Sequence, residues 1–144
     1  MDWLERTLAQ TAWVVLDTET TGLAPGLGNR VVEVAAVRLE NGRRVAEFQQ
    51  LINPERPQEA RAAEITGLAD EHLRDQPTFA EIAPRLQQFL EGAVIIAHNA
   101  SFDANFFGAG IGHLPTRGGS ARASVACAVA VYLVIGAAPF SLRP

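Results

Sequence analysis

Two carboxylates stand one residue apart at the end of an apolar run, in Val14-Val15-Leu16-Asp17-Thr18-Glu19-Thr20-Thr21-Gly22-Leu23. Read as a strand, alternate residues of this run share a face, which sets Asp17 and Glu19 side by side about 7 Å apart. Like charges held this way repel and raise each other's pKa unless something positive lies between them. A hard divalent cation such as Mg²⁺ suits oxygen donors of this kind. Thr20, Thr21 and Gly22 then turn the chain out of the sheet, with the glycine free to take a positive φ. Taken alone, a D-x-E pair is common at solvated strand ends and turn caps, so its weight depends on its surroundings. A second polar string, His98-Asn99-Ala100-Ser101-Phe102-Asp103, also follows an apolar run.

The elements that must position these residues are legible in order. Asp2 and Glu5 have capping-box spacing for a short N-terminal helix. A strand is expected around residues 12–17, then a mobile loop over 24–30 that holds Pro25, Gly26 and Gly28. Residues 31–40 and 45–53 read as strands joined at Asn41-Gly42, a two-residue hairpin signal, so the first three strands form an antiparallel meander. Residues 58–64 and 70–73 read as short helical turns separated by Ile65-Thr66-Gly67-Leu68. Thr78 and Glu81 open a helix that runs to about Leu90. Phe79, Ile82, Leu86, Phe89 and Leu90 give it one apolar face, Pro84 interrupts it and Gly92 closes it. Residues 94–97 have the continuous apolar character of a strand buried on both faces. A further helix is expected from about Ser101, with Asp103 in its first turn, where the helix dipole favours a carboxylate.

The string from Val14 to Leu23 resembles the first motif of the DEDD 3′–5′ exonucleases, the group containing the proofreading (epsilon) subunit of bacterial DNA polymerase III. His98 to Asp103 resembles the second motif of that family, and the likeness extends over roughly residues 13–107. The resemblance implies an α/β, ribonuclease H-like fold: a mixed sheet with three antiparallel first strands and flanking helices. It implies that Asp17, Glu19 and Asp103 are catalytic residues holding two divalent cations, Mg²⁺ or Mn²⁺. It also implies that Thr20, Thr21, Gly22 and Leu23 line the pocket for the terminal nucleotide, joined by His98, Asn99 and Phe102. For His98, a polar residue merely ending a core strand is the competing reading. His98 and Asp103 also have H-x-x-x-x-D spacing, but they span a strand end and a helix start, whereas the family's third motif lies on a later helix.

Past residue 107 the character changes. Positions 108–119 hold five glycines, and positions 125–138 form a run of small apolar residues with Tyr132. No acidic residue follows Asp103, and the position five beyond His113 is Gly118. The third motif, a histidine base with a fourth carboxylate, is thus missing from the expected place. Two explanations stand: a divergent, inactive relative, or a C-terminal part lost through a shifted reading frame near codon 107. The abrupt change of composition favours the second. On this reading residues 1–107 are the exonuclease domain, incomplete at its C-terminal side, and 108–144 an aberrant or divergent tail. Phe79, Phe89 and Phe102 are then expected to lack part of their cover.

With 144 residues and 48% hydrophobic content the chain has the make-up of one soluble domain. Its formal charge is −4, and it contains no lysine. A long nucleic acid held by counterion release is therefore not expected; a short end gripped through metals, or delivered by a partner, is. One cysteine, Cys127, excludes an internal disulfide and fits a reducing, cytoplasmic setting. The N-terminus lacks a signal-peptide pattern, and the apolar run at 125–138 is shorter than the roughly 20 residues of a membrane span.

The function expected is removal of nucleotides from a 3′ end of DNA, with RNA equally compatible, by two-metal hydrolysis weakened by the missing motif. A DNA polymerase is the expected partner, and no membrane is. The alternative is a non-catalytic module that binds a nucleic-acid end or a polymerase.

Overall fold

A computed structural model describes residues 7–98 of the chain. The Asp2–Glu5 capping box, Asn99, Phe102, Asp103, the helix expected from Ser101 and the tail 108–144 lie outside the described residues. Among the described residues four strands form one mixed sheet: β1 (Ala12–Thr20), β2 (Val31–Glu40), β3 (Arg43–Leu51) and β4 (Ala93–Ile96), in the order β3-β2-β1-β4. The first three are antiparallel neighbours, as the meander required, and β4 lies parallel to β1. Three helices, α1 (Ala60–Thr66), α2 (Asp70–Leu73) and α3 (Phe79–Leu90), occupy the long connection from β3 to β4.

The hairpin forms where its chemistry demands it. Asn41 and Gly42 take φ of 51° and 72°, the left-handed pair of a type I′ turn, whose twist matches that of the flanking strands. β1 alternates strictly: Val14, Leu16, Thr18 and Thr20 are buried, whereas Val15 and Asp17 face outward with the half-buried Glu19. Val34 and Ala36 of β2 and Phe48 of β3 share the inner face. Ile82 and Leu86 of α3 close that core, and each fully buried Leu or Ile contributes about 1.5–3 kcal/mol of apolar burial. A smaller cluster of Val32, Leu68 and Leu73, backed by Leu51, seats the α1–α2 segment.

α3 starts at a well-made cap. The Glu81 carboxylate accepts hydrogen bonds from the Thr78 backbone N–H (2.7 Å) and hydroxyl (2.9 Å). The backbone bond, with the hydroxyl second, holds the Glu81 carboxyl below its ordinary value. The helix continues through Pro84, whose ring is exposed. At the other end Arg38 donates to the carbonyls of Phe89 (2.7 Å) and Glu91 (3.0 Å), which tethers the helix end and the entry to β4 onto β2.

Several expectations are corrected. β1 runs through Thr20, because β2 pairs with it that far. α1 starts at Ala60 and not at residue 58: Gln58 is engaged instead with the Leu68 carbonyl and the Asp70 carboxylate. The loop over 24–30 contains a 3₁₀ turn, Pro25–Leu27, and the buried Asn29. Phe79 and Phe89 pack against the core but are only partly buried, in keeping with the incomplete cover expected of them. β4 is not enclosed on both faces by the described residues, as Ile96 is 39% exposed. The more open surface is the outer face of the sheet, where β1 register aligns Val15 with Val37 and Ile96.

Candidate active site

Strand alternation and sheet register bring the first site residues together. Asp17 and Glu19 both project from the outer face of β1, opposite the core. β4 runs parallel beside the start of β1, with Val15 level with Ile96. β4 ends at Ile96, and the exposed His98 follows two residues later, past the last pair with β1. β4 thus ends two residues short of the level of Asp17 on the neighbouring β1. Ligands of open α/β sheets sit at such strand ends. Asp103 lies outside the described residues, and among those described no three His, Cys, Asp or Glu side chains gather closely enough to hold a metal. Asp17 and Glu19 nonetheless fit a hard cation as donors: both are carboxylates, both are on one face, and neither is deeply buried.

Sequence reasoning missed a third acid. Glu33 is the cross-strand partner of Glu19, so their side chains share the outer face. Its carboxylate accepts a hydrogen bond from Gln49 Nε2 at 3.2 Å. The signal was present, since Glu33 is the one charged residue amid Val31-Val32 and Val34-Ala35-Ala36-Val37. Its pairing with Glu19, however, is visible only in the register.

The segment after β1 is built differently from the expectation. Gly22 is buried but is not among the positive-φ glycines. What excludes a side chain there is space: a Cβ would lie 2.5 Å from Asn29 Nδ2 and closer still to the Glu59 carboxylate. The Thr20 hydroxyl donates to the Gly22 carbonyl at 2.7 Å. The Thr21 hydroxyl, fully buried, donates to Asn29 Oδ1 (2.9 Å) and accepts from the Arg30 N–H (3.0 Å). Both hydroxyls are therefore turned inward, and Leu23, 82% exposed, is the side chain this segment presents outward. Asn29 Nδ2 in turn donates to Glu59 Oε1 at 2.9 Å. Asn29 and Glu59 are a second omission of the sequence reading, and no local pattern announces a bond across 30 residues.

With this geometry in hand, comparison with known proteins is informative. A family model described as "Exonuclease" matches residues 14–110. A DNA polymerase III subunit epsilon-like protein of Rhodobacter capsulatus is 46% identical over 104 residues, covering 71% of this chain and 15% of that protein. The PolC-type DNA polymerase III of Streptococcus pneumoniae is 37% identical over 106 residues, 74% of this chain and 7% of the polymerase. The chain thus spans a small part of the curated relatives it matches. Among solved structures, a product-bound exonuclease I aligns with a TM-score of 0.61 at 23% identity, over 67% of this chain and 24% of that one. Exonuclease X in complex with 5′-overhanging duplex DNA aligns with a TM-score of 0.55 at 30% identity, over 65% and 52%. The expected mixed sheet with flanking helices is the fold these structures share, the ribonuclease H-like fold.

Proposed function

Given that the chain belongs to the DnaQ-like exonuclease family whose model it matches over residues 14–110, we propose that it acts at the 3′ end of DNA, releasing terminal nucleotides. The observation that carries this reading is the placement of Asp17 and Glu19 on one outer face at the end of β1, beside the exit of β4. Asp17, Glu19 and Asp103 would hold two divalent cations, Mg²⁺ or Mn²⁺. When bound, these supply activation of water and stabilisation of the leaving 3′ oxygen. The remaining residues orient the substrate. Gly22 and Leu23 offer a buried, immobilised backbone and one exposed apolar side chain against which a terminal nucleotide can rest. Thr20 and Thr21 hold that segment from within, and His98, Asn99 and Phe102 would complete the contacts to the nucleotide.

The relatives' names support DNA as substrate and a replicative polymerase as partner, since they are an epsilon-like subunit and PolC-type polymerases. Residues 1–107 are the part that carries this function, and 108–144 a distinct tail. The chain as written holds no carboxylate after Asp103 and no H-x-x-x-x-D beyond the second motif. Its own activity should therefore be weak. That same observation favours a second reading, a module that binds a nucleic-acid end or a polymerase without cleaving.

The test is a 5′-labelled single-stranded oligonucleotide, DNA or RNA, incubated with the full chain and Mn²⁺. Slow shortening from the 3′ end that Asp17→Asn abolishes supports the exonuclease reading. Binding of the oligonucleotide without shortening supports the module. Neither binding nor shortening overturns both.

Among the described residues no helix is long and apolar enough to cross a membrane.

A further inference from the structure

We infer that Asn29 and Glu59 are positioning residues for the terminal nucleotide: together they lock the Thr20–Leu23 segment onto the start of α1. The inference rests on the functional reading above and names the device that would shape its substrate pocket.

Every polar atom of Thr21 has a partner. Its N–H donates to the Arg30 carbonyl (2.8 Å), its carbonyl accepts from the Glu59 N–H (2.9 Å), and its hydroxyl bridges Arg30 N–H and Asn29 Oδ1. Asn29, 5% exposed, passes this order on through Nδ2 to Glu59 Oε1. Glu59 is also the N-cap of α1, yet its side chain caps no backbone N–H of that helix. A cap residue ordinarily bonds its own first turn. Here the carboxylate reaches instead to Asn29 and lies against the bare Cα of Gly22. Residues 8 and 30 positions away on either side thus meet at one amide side chain. An amide suits the position because it accepts from a hydroxyl on one side and donates to a carboxylate on the other. A pocket wall held this way needs little further ordering when a nucleotide binds, and such preorganisation appears as affinity.

The polarity of the chain of bonds makes the idea testable. N29D keeps the acceptor for Thr21 but sets a second carboxylate against Glu59. E59Q keeps an acceptor for Asn29. N29D/E59Q reverses the bond, with the new amide donating to the new carboxylate. The probe is thymidine 5′-monophosphate titrated into the full chain with Mn²⁺, alongside amide hydrogen exchange. N29D should weaken nucleotide affinity about tenfold, E59Q less than about twofold, and N29D/E59Q should return to within about threefold of the original. Exchange at the Thr21 and Glu59 amides should accelerate in N29D and recover in the double variant, while amides of β2 and β3 stay unchanged.

The inference is overturned if N29D, still folded by sheet exchange, leaves nucleotide affinity and the two amides unaltered. It is overturned equally if the double variant binds as poorly as N29D. If the unaltered chain binds no nucleotide, the functional reading fails, and the positioning role it supports fails with it. The exchange data then show separately whether the lock on the segment exists.

Discussion

Thr21 shows how one buried hydroxyl can hold a surface segment in place. Its hydroxyl is fully buried and is shared between Arg30 N–H and Asn29 Oδ1. Thr21→Val, nearly isosteric, would strip both partners of their bond while keeping the volume. Leaving buried polar groups unpaired costs about 1–3 kcal/mol each. We expect a loss of about 2 kcal/mol in urea unfolding, with an unchanged denaturant slope. At this scale the sequence was informative where period alone decides. Alternation in β1 placed Asp17 and Glu19 together, and the register agrees. It was silent on Glu33, Asn29 and Glu59, because their roles depend on which strand lies opposite and on a bond spanning 30 residues. Nor did it reveal why Gly22 is glycine: a crowded Cα, and not the freedom to take a positive φ, demands it.

Among the elements, those with strong local chemistry matched expectation closely. The Asn41-Gly42 turn joins β2 and β3 as read, and α3 spans Phe79–Leu90 behind its Thr78 cap. β2 has the bounds read for it and β4 lies one residue earlier, whereas β1 runs three residues further and β3 lies two residues earlier, since pairing with a neighbour, not composition, decides where a strand stops. The turn offers a clean test. A Cβ at Gly42 would meet nothing within 4 Å, so Gly42→Ala probes conformation alone. Forcing an L residue to the left-handed φ of 72° should cost about 1–2 kcal/mol. Gly26→Ala, equally open but without a positive φ, should be neutral or slightly stabilising, as thermal melts of the pair would show.

The α3 cap gives a pH test. Glu81 is depressed below its ordinary value because the folded state bonds the ionised form. A carboxyl lowered on folding stabilises above its unfolded pKa, and that contribution is lost as pH falls through the folded value. Glu81→Gln should therefore be less stable than the original near neutrality. The difference should disappear once the pH drops below the range where a glutamate ordinarily titrates. A gap that persists in acid would assign the effect to something other than the carboxylate charge.

For the molecule as a whole, the deciding feature is the parallel contact between the first and last described strands, Ala12–Val15 against Ala93–Ile96. That contact closes a loop of about 80 residues, the kind of non-local pairing that forms late. The β2–β3 hairpin, with its two-residue turn, is the kind of structure that assembles within microseconds. Pulse-labelled hydrogen exchange during refolding should accordingly protect the Val34 and Phe48 amides before those of Val14 and Ile95. A consequence follows for a chain still being made on the ribosome. Its carboxylate strand emerges early, but β4, the parallel neighbour of that strand, comes only after the three helices. Until the sheet is closed, a chain of this topology carries Asp17 and Glu19 on a strand that still lacks one of its two neighbours.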